Sequence, residues 1–136
     1  EPPKQEAPKQ EPPKKPDIPP QVRYSGKLVK VPKPDPNADK LAERLGGQSR
    51  MKFDSDPDAR EFDVITDEYI VQTKSDMQSF GKKYRKQLKA TFEAAKVTGR
   101  GVYLHFESQP SEQVIKVIQK YEQRYGIEVV IDISPL

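Results

Sequence analysis

The distribution of proline limits the part of this chain that can build a packed core. Eleven of the fourteen prolines lie before residue 37, where the repeat EPPKQ, EAPKQ, EPPKK opens the sequence. Such a segment cannot bury apolar surface and is expected to populate extended polyproline II conformations. We therefore predict a tether over residues 1–36, largely disordered or extended, and one small folded domain over residues 37–136. Residues 23–31 can form a strand at the edge of that domain or stay loose.

The folded part alternates strand and helix patterns. Ser111 is a suitable N-cap for the last helix, and Gly46 and Gly126 are suitable helix ends. Strand–helix–strand units of these lengths require right-handed crossovers. The order of elements predicts an α/β fold, a mixed β-sheet flanked by helices. Helices are predicted over residues 38–46, 79–98 and 111–125, and strands near residues 51–53 and over residues 61–66, 69–74, 101–107 and 127–133.

The strands at residues 61–66 and 69–74 form a predicted hairpin with an informative set of polar residues. Alternation along the pleat sends Asp63 out of the first strand and Gln72 and Lys74 out of the second. A carboxylate, an amide oxygen and an ammonium can therefore converge beside one hairpin. That combination suits the metal-assisted cleavage of a phosphodiester.

The chemistry explains why these residue types belong together. A hard divalent cation takes oxygen ligands, and a phosphate needs nearby positive charge as its bond breaks. Asp63 would anchor the ion, Gln72 would add an oxygen from its side chain or its main-chain carbonyl, and Lys74 would position or deprotonate the attacking water. Mg²⁺ is favoured over zinc because it keeps much of its water and needs few protein ligands. Spacing alone also fits the exposed face of an ordinary hairpin.

The string from Asp63 to Gln72-Thr73-Lys74 resembles the PD-(D/E)XK motif of the restriction endonuclease superfamily, with Gln in place of the second acid. Residues 37–136 are similar to restriction-endonuclease-fold toxin domains from the C-termini of bacterial polymorphic and contact-dependent inhibition toxins. The phrases LAERLGG, EFDVITDEYIVQTK, KATFEAAKVTGRGVY and HFE carry this likeness. The resemblance implies a restriction endonuclease-like core and a metal-dependent endonuclease that cuts DNA or tRNA.

The same resemblance implies a biological setting. The domain would be the toxic part of a larger secreted or surface-delivered protein that acts in the cytoplasm of a neighbouring target cell. The producing cell would then need a cognate immunity protein as a partner. No stretch of the sequence is long and apolar enough to span a membrane.

A neutral Gln72 binds a divalent ion more weakly than a carboxylate, so a further ligand is expected. By resemblance Glu43 is the preferred candidate, because many members of the superfamily present a first-helix Glu to the metal. Glu61 is the alternative, since it shares a strand face with Asp63. Gln87 is an additional candidate, because some superfamily members carry an active-site Gln on the corresponding helix.

The total charge of the folded part does not predict nucleic-acid binding, but the position of its basic residues does. Residues 37–136 hold sixteen Lys and Arg and sixteen Asp and Glu, so the formal charge of +3 comes from the tether. Residues 81–100 nevertheless hold seven basic residues against one acid, Glu93. A basic face of this kind is also typical of a solvated helix surface. The candidate phosphate contacts are Lys82, Arg85, Lys86 and Lys89.

Two alternatives to a metal-dependent nuclease remain open at the level of sequence. The chain has no cysteine and one histidine, which excludes a disulfide framework and a zinc centre built from several histidines. We expect His105 to be packed or partly exposed on its strand. The first alternative is a metal-free ribonuclease that uses His105 with Glu107 or a lysine. The second is a non-catalytic binding module with a degenerate hairpin.

Overall fold

The computed structural model describes residues 18–74 and 81–136. Residues 1–17 of the predicted tether and the first residues of the helix predicted from residue 79 lie outside the described residues. The helices in the described ranges are α1 (Pro20–Arg23), α2 (Pro36–Leu45), α3 (Lys82–Thr98) and α4 (Glu112–Tyr125). The strands are β1 (Leu28–Lys30), β2 (Gln48–Phe53), β3 (Glu61–Ile65), β4 (Tyr69–Lys74), β5 (Gly101–Phe106) and β6 (Val129–Asp132).

The strands of the described residues form one mixed sheet in the order β1-β2-β3-β4-β5-β6. The strands from β1 to β4 are antiparallel to their neighbours, and β4, β5 and β6 pair in parallel. Parallel neighbours need a crossover, and α3 and α4 supply the two crossovers here. The predicted α/β fold with a mixed sheet flanked by helices is confirmed.

Apolar clusters cover both faces of this sheet. On one face, Leu88 and Phe92 of α3 and Ile118 of α4 pack with buried strand residues such as Ile70 and Leu104. On the other face, α2 and the C-terminal Leu136 pack in a smaller cluster with buried valines of β3 and β4. Burying one such large apolar side chain contributes about 1.5–3 kcal/mol. The middle of the sheet is therefore rigidly held.

The helix boundaries follow from capping residues. The carboxylate of Asp35 accepts hydrogen bonds from the first N–H groups of α2, and the hydroxyl of Ser111 accepts one from Val114 in α4. Gly46 and Gly126 end the same two helices with positive φ angles of 72° and 63°, a conformation that favours glycine. These signals are local, which is why the sequence predicted both helices to within two residues.

Residues 18–36 belong to the folded unit, and this corrects the domain boundary predicted at residue 37. Strand β1 pairs with β2 and forms one edge of the sheet. Tyr24 is buried, with its ring centroid 5.3 Å from that of Phe53 and 6.1 Å from that of Phe62. A four-residue helix and a three-residue strand are too short to show a period, so the proline-rich composition of the region dominated the prediction.

Candidate functional site

The polar residues of the β3–β4 hairpin meet where the two strands end their backbone pairing. The pairing runs as far as Val64 and Val71. One step further, the backbone N–H of Thr73 donates a hydrogen bond to the carboxylate of Asp63 at 2.9 Å. The Asp63 side chain thus takes the place of a backbone acceptor. Its carboxylate is held beside β4, on the strand that carries Gln72 and Lys74.

The protein around Asp63 makes its negative charge costly. Burial raises the pKa of the Asp63 carboxyl above its ordinary value, and the charge of Asp35 adds to the rise. The hydrogen bond from Thr73 and the charges of Lys74 and Arg50 act in the opposite direction without cancelling it. Additional positive charge beside Asp63 would lower this cost. Carboxyl groups with pKa values perturbed in this way are frequent at functional sites.

Lys74 lies in the same neighbourhood as Asp63. Its ammonium nitrogen is 5.5 Å from the ring centroid of Tyr84, in the first turns of α3, which is the geometry of a cation–π contact. Burial raises the pKa of Tyr84, and the nearby charge of Asp63 raises it further. Asp63 and Lys74 therefore both lie close to Tyr84. The structure brings together the carboxylate and the amine that the hairpin pattern predicted.

Gln72 is part of a buried hydrogen-bond network with α3. It is 1% exposed. Its Nε2 donates to the Oγ1 of Thr91 at 3.0 Å, and its Oε1 accepts from the Nε2 of Gln87 at 3.2 Å. The Gln72 side chain does leave the plane of the hairpin as predicted, but α3 covers that face of the sheet, so the side chain is buried. The structure adds Gln87, an additional candidate from the sequence, to the immediate surroundings of Gln72.

Thr91 fixes which way the Gln72 amide faces. The Thr91 hydroxyl donates its single proton to the backbone oxygen of Gln87 at 2.8 Å, so it can only accept from Gln72. The amide nitrogen of Gln72 must therefore face Thr91, and its oxygen must face Gln87. One lone pair of that oxygen is used by Gln87 and the second is available. The network holds a neutral oxygen donor in one orientation.

A cleft of about 400 Å³ reaches Gln72 from outside the sheet. Its lining includes Gln72, Gln87, Lys86 and Glu61. Glu61, the second candidate for an additional acid, is exposed and forms an ion pair of 2.9 Å with Arg50. Glu61 therefore shares a cleft with Gln72, but its charge is already balanced by a neighbouring guanidinium.

Glu43, the preferred additional acid, lies apart from this cluster. It is exposed on α2 and lines a separate groove with Lys30 and Met51 at the β1–β2 edge of the sheet. The acid whose charge acts on Asp63 is Asp35, the N-cap residue at the other end of α2. Glu43 follows Asp35 by eight residues, about 12 Å along the helix axis. The structure thus gives no support to Glu43 as an ion ligand.

The four predicted phosphate contacts are all exposed on α3. The structure brings only part of this set to the site. Lys86 lines the cleft with Gln72, and both Lys86 and Lys89 line a second groove next to it. Lys82 and Arg85 lie on the first turn of the helix and line neither of the two.

His105 is a packed residue on the opposite face of the sheet. It is 1% exposed, and its Nε2 lies 2.7 Å from the backbone oxygen of Ser134, so this nitrogen must carry a proton. Its Nδ1 lies 2.9 Å from the hydroxyl of Thr73. Both ring nitrogens are therefore occupied by structural hydrogen bonds. This arrangement agrees with the expected packed histidine and gives the ribonuclease alternative no accessible base.

The donor set fits a largely hydrated Mg²⁺. In the described part of the chain, no three His, Asp or Glu side chains are close enough together to enclose a metal ion. Mg²⁺ does not need such a cage, because it is commonly bound through one or two carboxylates, several waters and the phosphate oxygens of a substrate. Asp63 supplies a carboxylate whose ionisation is costly, and Gln72 supplies an oriented amide oxygen on the adjacent strand. The set does not fit a structural zinc site.

Sequence reasoning missed three residues that shape this site. Thr91 orients the Gln72 amide, Asp35 acts on the charge of Asp63, and Arg60 lines the cleft. A polar residue in the middle of the apolar stripe of α3 was the available signal for Thr91. Asp35 and Arg60 lie in loops, where the sequence pattern gives no signal of what they contact.

Comparison with known proteins agrees with the geometry. The family model described as restriction endonuclease fold toxin 3 matches residues 27–132 of the chain. The match begins just before β1 and ends with β6, so it covers all six strands and the hairpin cluster. No curated protein and no solved structure matches the chain.

Proposed function

We propose that the chain, which belongs to the restriction endonuclease fold toxin 3 family, is a metal-dependent nuclease that hydrolyses phosphodiester bonds of DNA or tRNA. The observation that carries this proposal is the meeting of Asp63 and Lys74 at the open end of the hairpin, where Asp63 accepts a hydrogen bond from the strand that also carries the oriented amide of Gln72. A carboxylate and an amide oxygen can hold Mg²⁺, and an amine can stabilise the negative charge of the phosphate, so the three groups suit phosphodiester hydrolysis assisted by this ion.

Each of the three residues has a distinct role in this proposal. Asp63 and the Oε1 of Gln72 would hold Mg²⁺, which when bound supplies Lewis-acid stabilisation of the phosphate charge. Lys74 orients the attacking water and stabilises negative charge on the phosphate oxygens. The cation–π contact with Tyr84 keeps the Lys74 ammonium near Asp63. Gln87 and Thr91 keep the Gln72 oxygen in one orientation.

The proposal includes a biological setting, which the match to a toxin family supports. The chain would be the toxic domain of a larger secreted or surface-delivered bacterial protein used in competition between bacteria. It would act on nucleic acid in the cytoplasm of the target cell. A cognate immunity protein would protect the producing cell. The family membership and the polar cluster support this proposal.

The experiment is a cleavage assay with two substrates and two ion conditions. Purified protein is incubated with plasmid DNA and with total tRNA, each with Mg²⁺ and with excess chelator. We expect cleavage of at least one substrate that requires Mg²⁺ and is strongly reduced in Lys74→Gln. Lys120→Gln, which removes the same charge from an exposed position on α4, is the matched control and should cleave normally.

Two results would contradict the proposal. Cleavage that continues in chelator and disappears in His105→Phe would instead support the metal-free ribonuclease. A folded wild-type protein that cleaves neither substrate under any ion condition would support the non-catalytic binding module.

A further inference from the structure

We propose that the groove between α1 and α3 binds the sugar–phosphate backbone of the substrate next to the scissile bond, with Arg60 as the main phosphate contact. We call it the α1–α3 groove, lined by Pro19, Arg23, Arg60, Lys86, Lys89 and Glu93. The inference rests on the proposed nuclease function. It adds the path that the nucleic acid takes away from the hairpin cluster.

The groove is continuous with the cleft that reaches Gln72. Arg60 and Lys86 line both of them. Each has a volume of about 400 Å³. A strand whose scissile phosphate lies near Gln72 would therefore pass between Arg60 and Lys86 before it enters the groove.

The charges along this path favour a polyanion. Arg23 is already paired with Asp56 and Asp58, so it adds no free charge. Lys86 and Lys89 are exposed, and the acid in the groove is Glu93. Lys86 and Lys89 are three residues apart on one helix, which places their Cβ atoms about 5–6 Å apart. That separation is comparable to the distance between successive phosphates of one strand.

Arg60 is held in place before any ligand binds. Its Nη1 donates to the hydroxyl of the buried Tyr24 at 3.1 Å, and its Nη2 lies 4.0 Å from the carboxylate of Asp58. The side chain is still 40% exposed, so part of the guanidinium faces the groove. A guanidinium that is held by such contacts and is still 40% exposed can bind phosphate oxygens without losing much side-chain entropy. Arg60 is therefore better suited to this role than a flexible surface lysine.

The test measures binding separately from cleavage. The parent is the full chain with Asp63→Asn, which removes the proposed ion ligand and should prevent turnover. Fluorescence anisotropy then gives its affinity for labelled single-stranded DNA and RNA of the same sequence over a series of salt concentrations. Arg60→Gln, Lys86→Gln and Lys89→Gln are compared with Lys120→Gln, which removes one charge far from the groove on α4. Arg60→Lys keeps the charge without the planar fork.

We expect each groove variant to lose one phosphate contact. The slope of log K against log salt should fall in magnitude by about 0.7, the value for one contact to a single strand, which corresponds to a loss of affinity of roughly fivefold at about 0.1 M salt. Arg60→Gln should lose most, and Arg60→Lys should recover part of the loss. Lys120→Gln should bind like the parent, and poly-glutamate should compete poorly with either oligonucleotide.

Three outcomes would overturn the inference. If the parent binds nucleic acid and the groove variants bind equally well, the substrate takes another path and the nuclease proposal stands. If poly-glutamate competes as well as the oligonucleotides, the groove is a general site for acidic chains, including acidic proteins. If the parent binds neither oligonucleotide and the wild type cleaves neither substrate, the nuclease proposal fails together with the groove.

Discussion

Replacing Thr91 with valine tests whether the buried network around Gln72 has the role assigned to it. Valine has nearly the same shape as threonine but no hydroxyl. The substitution leaves the Nε2 of Gln72, in a side chain that is 1% exposed, without its acceptor. An unsatisfied buried donor costs about 1–3 kcal/mol. Thr91→Val should therefore lower the midpoint of thermal unfolding by roughly 4–8 °C for each kcal/mol lost in a domain of about 100 residues.

Thr91→Ser is the matched control for this prediction. Serine keeps the hydroxyl and loses one methyl group, which costs about 0.8 kcal/mol if the methyl is fully buried. If hydrogen bonding dominates, Thr91→Val is the less stable of the two variants. If packing dominates, Thr91→Ser is the less stable variant. A double-mutant cycle with Gln72→Leu should give a coupling of about 0.5–3 kcal/mol, because the two side chains are in direct contact.

The same pair of variants separates positioning from simple stability. Once the Gln72 amide is free to turn, its oxygen no longer faces Gln87 in one fixed orientation. The Mg²⁺ concentration for half-maximal cleavage should then rise about tenfold or more in Thr91→Val, as is typical when a group that orients a metal ligand is removed. It should be unchanged in Thr91→Ser. A Thr91→Val protein with wild-type stability and wild-type Mg²⁺ requirement would refute the reasoning.

Three further outcomes follow from the site. Because folding raises the pKa of the Asp63 carboxyl, the free energy of unfolding of the wild type should fall as pH rises through that pKa. Asp63→Asn should therefore be more stable than the wild type at pH 7 and should lose this advantage at low pH. Thermal unfolding over a range of pH measures both effects. His105→Phe should lose about 1–3 kcal/mol for each partner left unsatisfied and keep its cleavage rate per folded molecule. Glu43→Gln should leave both the cleavage rate and the Mg²⁺ requirement unchanged, and a large loss of either would restore Glu43 to the site.

The sequence predicted those parts of the fold that depend on local patterns. The hairpin, α3 and α4 have clear alternation or a helical period, and Gly46 and Gly126 mark helix ends. For residues 23–31 the edge strand was one of two alternatives and the helix α1 was not predicted, because β1 and α1 are too short to show a period. Their stability comes from distant contacts, such as the ring of Tyr24 against Phe53 and Phe62.

The site residues of the two adjacent strands could be predicted from the sequence, but their contacts with α3 could not. Asp63, Gln72 and Lys74 lie on two adjacent strands, so alternation was enough to group them. Their relation to α3 was not predictable, since the bond from Gln72 to Thr91 spans nineteen residues and depends on how α3 lies on the sheet. The family resemblance could not show where Glu43 lies relative to the hairpin, because the rotation and direction of α2 are set by packing.

The most direct test of the central claim compares two carboxylates of one hairpin. Asp63 lies in the polar cluster, and Asp67 lies exposed in the turn four residues later. Mg²⁺-dependent cleavage rates are measured for Asp63→Asn and Asp67→Asn, with thermal unfolding showing that both are folded. We predict that Asp63→Asn loses activity by about 100-fold or more while Asp67→Asn cleaves like the wild type. An Asp63→Asn protein that cleaves at the wild-type rate would contradict the account.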